Sequence, residues 1–251
     1  HYNIVGSLPG YQEPDKLVIV SGHYDSVMCA GFCDNGAGTS GVIELAKVFT
    51  EAVKRGLYYP KFTILFIAFT AEELGLVGSI NYVMKHKAEM SNIVAVINLD
   101  CIGSDKLSIS ETNPSDGFDL DEIALEAAGD LNISATLTGP GGSDQEAFRN
   151  PAWGNSYYLG TWGMNADIDD APPVESSTLL ISFPLFYRDK WSTGTPGWIH
   201  TSYDNSTSTE VLNWVEVDDL ENHIKVAALT VMRISPSFLS TDLNRMGRWT
   251  S

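Results

Sequence analysis

The segment Phe62–Thr70, FTILFIAFT, constrains the fold most strongly. It is continuous in Ile, Leu, Phe and Ala, without the alternation of a strand that has one wet face. Such a run reads as a strand covered on both faces, which places it inside a sheet with helices on each side. The surrounding chain supplies the other parts. Lys16–Gly22 (KLVIVSG) and Ile93–Leu99 read as strands, and Leu107–Ser110 and Leu179–Phe183 as shorter ones, with another at Ser156–Leu159. Helices are expected over Gly36–Lys54, with an apolar face of Val42, Ile43, Ala46, Val48, Phe49 and Val53, and over Val77–Lys87, Phe118–Leu131 and Ser143–Arg149. A last helix, Val217–Ile234, is stopped by Pro236. This β-α-β-α order predicts an α/β sandwich with a mostly parallel sheet in one domain over residues 1–251.

Composition removes several classes of function. The 251 residues carry 15 Lys+Arg against 32 Asp+Glu, a formal charge of −17, without basic clusters, so nucleic acid and anionic membranes are poor partners. No apolar run approaches the roughly 18–20 residues of a membrane span. The acidic stretch Glu111–Asp130 reads as a solvated helix face. Three cysteines are too few for a disulfide framework; Cys29 and Cys33 could bridge and leave Cys101, or all three could pack as thiols. The chain begins at His1, which reads as a processed chain or an excised domain. The triplets at Asn132 and Asn205 match the glycosylation pattern, and the compartment stays open, with secretion or the cell surface ahead of the cytoplasm.

In open α/β sheets ligands collect at the carboxyl ends of the strands. Three predicted strands end in groups of metal-ligand type: Lys16–Gly22 runs into His23-Tyr-Asp25, Phe62–Thr70 into Ala71-Glu72-Glu73, and Ile93–Leu99 into Asp100. Asp34 lies between the first two, before a helix, where a cap would be the ordinary reading. So many carboxylates gathered at one sheet edge need cations. His with Asp and Glu, and no cysteine pattern, suits Zn²⁺ or a related divalent ion. Neighbouring Glu72 and Glu73 point in different directions, so one can bind metal while the other faces substrate.

Six segments, SGHYDSV (21–27), DNGAGTSGVIELA (34–46), FTAEELGLVGS (69–79), NLDCIG (98–103), GGSDQEAF (141–148) and WIHTSYDN (198–205), resemble in order and spacing the signature segments of the M28 co-catalytic zinc aminopeptidases. The resemblance spans about residues 15–235. It implies a three-layer α/β/α sandwich around a central mixed sheet, and two zinc ions per chain. His23 and Asp100 would bind one zinc, Glu73 and His200 the other, and Asp34 would bridge both, with a cis peptide at Asp34–Asn35. Asp25 would orient His23, Asp204 could orient His200, and Glu72 would be the general base in hydrolysis by a metal-activated water. The implied substrates are peptides with a free amino terminus, cut at that end. The loop aromatics Trp153, Tyr157, Tyr158, Trp162, Phe186, Trp191 and Trp198 read either as loop packing or as an apolar pocket for a substrate side chain. Arg149 and Arg188 are the only candidates for binding a terminal carboxylate.

The sequence departs from that pattern in places. Ile199 stands where relatives often carry a Tyr before the last ligand, leaving Tyr187 or Tyr203 as substitutes for the oxyanion donor. Gln145 occupies a position where His is common. Ser143-Asp144 either lines the site or caps a helix, Cys33 and Cys101 read as packing, and His86 and His223 read as surface or capping residues. A single-zinc glutaminyl cyclase of the same fold is the alternative enzyme, and a non-catalytic receptor-type domain the alternative from another class; the complete ligand set and base argue against the latter.

Overall fold

The computed structural model describes residues 2–27, 29–103, 107–110, 119–138, 142–149, 199–200, 202, 204–207 and 215–237, and the backbone of 178–182. Among the described residues seven strands form one sheet: β1 (Ile4–Leu8), β2 (Glu13–His23), β3 (Phe62–Phe69), β4 (Ile93–Leu99), β5 (Leu107–Ser110), β6 (Ala135–Thr138) and β7 (Thr178–Ser182). Their spatial order is β1-β3-β2-β4-β7-β5-β6. The pairs β2–β3, β2–β4, β4–β7 and β5–β6 are parallel; β1–β3 and β5–β7 are antiparallel. The sheet is mixed and mostly parallel, as expected.

The helices are α1 (Gly38–Lys54), α2 (Val77–Lys85), α3 (Leu120–Asp130), α4 (Gln145–Arg149) and α5 (Val217–Ile234). They cover both faces. On one side Val42, Leu45 and Phe49 of α1, Ala124 and Ala127 of α3 and Val226 and Val231 of α5 pack on Val18, Val20, Ile64, Ala95 and Ile97. On the other, Ile80 and Val83 of α2 and Ala147 and Phe148 of α4 pack on Ile19, Ile67, Phe69 and Val96. Successive strand residues therefore feed opposite cores, which is why β3 and β4 are apolar throughout. The result is a three-layer α/β/α sandwich.

The expected elements recur with shifted ends. Helix α2 stops at Lys85, and a 3₁₀ turn, Lys87–Asn92, leads into β4. Strands β1 and β6 had no counterpart in the sequence reading; both lie at sheet edges and are largely exposed, so their apolar signal is thin. The strand expected at Ser156–Leu159 lies outside the described residues. The acidic face of α3 is partly neutralised by Arg233 of α5, which pairs with Glu126 and Asp130. Among the described residues no helix is long and apolar enough to cross a membrane.

Candidate metal centre

Strands β3, β2 and β4 are parallel neighbours, so their carboxyl ends open onto one edge of the sheet. His23 ends β2 in the middle; Glu72 and Glu73 follow β3 on one side and Asp100 follows β4 on the other. Asp34 arrives on the irregular turn Phe32–Ala37 ahead of α1, with a cis peptide bond to Asn35. His200 is brought in by the distant segment 199–207.

The five ligand candidates form two clusters that share Asp34, and a third group, His23 with Glu72 and Glu73, overlaps both. His23 Nε2 lies 3.1 Å from Asp34 Oδ1 and 3.4 Å from Asp100 Oδ1. His200 Nε2 lies 3.1 Å from Asp34 Oδ2 and 3.0 Å from Glu73 Oε2. Within each cluster one donor atom per residue falls within 4.8 Å of the others. Asp34 turns one oxygen to each cluster. All five residues named from the sequence as ligands are thus brought together.

The donors fit zinc. His23 Nε2, Glu73 Oε1 and Asp100 Oδ1 are buried without a hydrogen-bond partner, whereas buried polar atoms are normally satisfied. Nitrogen and carboxylate donors without thiolate suit a borderline cation. Asp34, Glu73 and Asp100 contribute −3, which would leave a net +1 on a pair of divalent ions. Protons mark the same places. Burial would lower the His23 imidazole, but Asp100, Asp25 and Asp34 outweigh it and hold it well above 6.5. Hydrogen bonds to Asp34 and Glu73 raise His200 to about 11. Burial opposes the ionisation of Asp34, yet His200 and His23 bring it down to about 2.

Glu72 Oε2 stands 4.0 Å from His23 Nε2, and burial pushes its carboxyl well above 4.5. The Asp25 carboxylate accepts the amides of Glu72 at 3.0 Å and Glu73 at 3.3 Å. Its oxygen is 3.6 Å from His23 Nδ1, while the Asp25 backbone carbonyl is nearer, at 3.1 Å. Asp25 therefore holds His23 through its main chain and the Glu72-Glu73 pair through its side chain. Asp204, expected at His200, instead accepts the amides of Cys33 at 2.7 Å and Asp34 at 3.0 Å.

Behind Asp100 runs a buried chain of hydrogen bonds that the sequence reading missed. Ser21 Oγ donates to Asn98 Oδ1 (2.7 Å), Asn98 Nδ2 to Ser143 Oγ (2.9 Å), and Ser143 Oγ to Asp100 Oδ2 (2.7 Å). Asn98 Nδ2 also reaches Gln145 Oε1 at 3.3 Å. The available signal was the polar residue in each otherwise apolar run, Ser21 in β2 and Asn98 in β4. Ser143 thus lines the site. Asp144 is fully buried, its oxygens make no hydrogen bond of ordinary geometry, and burial raises its carboxyl to about 7.

Three ordinary residues at the centre adopt left-handed backbone: Ala71 (φ 55°) before Glu72, Cys101 (φ 53°) after Asp100, and His200 itself (φ 58°). Such positions cost about 1–3 kcal/mol each and concentrate at functional sites. The three cysteines are free, and Cys33 and Cys101 pack together with Ile199, as their packing role predicts. His86 stacks on Tyr82 and bonds its carbonyl. His223 departs from a surface role: it is buried and its Nδ1 accepts the Gly103 amide at 3.0 Å, because α5 turns this position toward the loop after β4. Arg149 pairs with Glu146 at 3.1 Å. Tyr187, Tyr203, Arg188 and the seven loop aromatics lie outside the described residues.

The chain is 32% identical over 206 residues to a protein named "Probable glutamate carboxypeptidase LAMP1" from Arabidopsis thaliana, covering 74% of this chain and 29% of that one. It is 33% identical over 152 residues to a "Probable zinc metalloprotease" from Pyrenophora tritici-repentis, covering 55% and 34%. The chain spans about a third of the length of these relatives. Among solved structures, a zinc aminopeptidase from Bacillus subtilis matches with a TM-score of 0.65 at 23% identity, over 93% of this chain and 50% of that one. An aminopeptidase from Aneurinibacillus sp. strain AM-1 matches at 0.66 and 19%, over 94% and 48%. These two share the fold. The model of peptidase family M28 matches residues 3–222, and the chain belongs to that family.

Proposed function

We propose that this chain is the catalytic domain of a dinuclear zinc aminopeptidase that removes apolar amino-terminal residues from peptides. The observation that carries the reading is Asp34, whose two oxygens face separate clusters, His23–Asp100 and Glu73–His200. One carboxylate shared in this way suits a pair of cations better than a single one. When bound, zinc ions at these donors supply Lewis acidity and a hydroxide near neutral pH.

The chain's own residues account for the rest. Glu72 takes the proton of the attacking water and returns it to the leaving amine. Burial supports that role by raising its carboxyl well above the ordinary range, so that it holds a proton more readily than a free glutamate. Asp25 fixes the Glu72 and Glu73 amides, so the base and a ligand are set by one carboxylate. The surplus of acid around Glu72 suits a substrate ammonium group. Of the two arginines named as candidates for a terminal carboxylate, Arg149 is engaged by Glu146; the amino-terminal reading rests on the acid around Glu72.

The test is hydrolysis of leucine arylamide beside its amino-acetylated form and a peptide blocked at the amino terminus with a free carboxyl end. The reading predicts release from the free amine alone, abolished by chelation. Equal cleavage of the acetylated substrate, or release from the carboxyl end of the blocked peptide, contradicts it.

A further inference from the structure

Asn35 follows the bridging aspartate and is buried, 1% exposed. Its side chain is spent on residues around a different ligand. Asn35 Nδ2 donates to the Leu99 carbonyl at 2.9 Å, and its Oδ1 accepts the Cys101 amide at 3.1 Å. These two residues flank Asp100, so the Asn35 amide brackets that ligand's main chain on both sides. The same Oδ1 accepts the Gly38 amide at 2.9 Å, fixing the side chain to the first residue of α1. Every polar atom of the carboxamide is engaged, and the two orientations of the amide are not equivalent here: only one gives Leu99 a donor and the two amides an acceptor.

Two glycines make room for this arrangement. A Cβ on Gly38 would stand 2.2 Å from Asn35 Oδ1 and 2.3 Å from the Leu99 carbonyl oxygen. A Cβ on Gly22, one residue before His23, would stand 2.7 Å from the same carbonyl and 3.5 Å from Asn35 Nδ2. The ends of β2 and β4 and the start of α1 therefore close around one carboxamide. Asp100 is fixed by two devices: its side chain by Ser143, its main chain by Asn35. Neither device contacts Glu73 or His200.

We propose that Asn35 is a positioning residue that sets Asp100 against Asp34 and thereby determines zinc affinity on the His23–Asp100 side of the centre. The inference rests on the two-metal reading above. Outer residues that orient metal ligands typically contribute 10–100-fold in affinity. Because the Asn35 side chain hydrogen-bonds the residues on both sides of Asp100 and makes no such bond to Glu73 or His200, its loss acts on one zinc more than on the other.

The experiment is stepwise zinc titration of the chelator-stripped chain against a chromophoric chelator, for wild type, Asn35→Ala and Asn35→Asp. Asp100→Asn and His200→Ala identify which step belongs to which side. Asn35→Ala is expected to weaken the step lost in Asp100→Asn by about 10–100-fold and the step lost in His200→Ala by less than about threefold. Asn35→Asp keeps an acceptor for Cys101 and Gly38 but sets an oxygen against the Leu99 carbonyl in place of the donor, so it weakens the same step; it decides the matter if the alanine variant does not fold. Equal weakening of both steps, or of neither, overturns the inference. A wild-type chain that takes up one zinc contradicts the dinuclear reading itself. The inference then stands only if that zinc is lost in Asp100→Asn and weakened in Asn35→Asp.

Discussion

The amide of Asp34 donates to a carboxylate oxygen of Asp204 at 3.0 Å, joining residues 170 positions apart. The other oxygen of Asp204 takes the Cys33 amide. The segment that carries His200 thus also grips the loop that carries Asp34.

Asp204→Ala leaves two buried amides without acceptors. Each charge-assisted bond is worth about 1.5–3 kcal/mol, so the metal-free chain should lose about 3 kcal/mol of stability. Urea unfolding after chelation measures this. A midpoint equal to wild type would show that the grip is idle.

Glu72→Gln should keep its full zinc content and lose about 10²–10⁴-fold in kcat, because the amide cannot accept the water's proton. Zinc analysis and arylamide kinetics on one preparation check both halves. An unchanged rate removes Glu72 as the base.

Asp25→Ala releases the Glu72 and Glu73 amides together. We expect zinc affinity to fall about 10–100-fold, and kcat to remain depressed when zinc is saturating, since the base is loosened as well as the ligand. Full recovery of kcat at high zinc would confine Asp25 to the metal.

Stabilisation by zinc should grow with pH. In the metal-free fold His23 is raised well above 6.5 and His200 to about 11, so their contribution to stability is complete below pH 6.5 and fades as pH rises through those values. Glu72 and Asp144 act in the same direction: burial keeps their folded forms protonated, Asp144 up to about 7, where unfolded carboxyls have ionised. Asp34 acts oppositely, but with its folded carboxyl at about 2 its window lies in acid. Zinc displaces the protons on its ligands, so its binding strengthens over the range in which the metal-free fold weakens. The midpoint shift on adding zinc should be larger at pH 8 than at pH 6. A smaller shift at pH 8 contradicts the assignment of protonated ligands.

The sequence carried the sheet's centre and its ligands plainly. β3 and β4 are apolar on both faces, and His23, Glu72, Glu73 and Asp100 sit at their ends or beside them, where strand geometry alone brings them to one edge. Asp34 and His200 needed the family resemblance, since a turn and a remote segment deliver them and neither has a period to read. The residues that hold the ligands were the least legible. Asn35, Ser143 and Asp204 act through hydrogen bonds to main chain or side chain across long separations, and their types are those of ordinary caps and turns. Edge strands β1 and β6 were obscure for a different reason: exposed strands need little apolar sequence.

Whether Asp34 holds two cations at once is decided by the zinc content per chain. Gently purified protein, measured by atomic absorption against quantitative amino-acid analysis, should contain about two zinc ions, and Asp34→Ala should fall well below one. A wild-type content of one, with Asp34→Ala unchanged from it, would contradict the bridged centre.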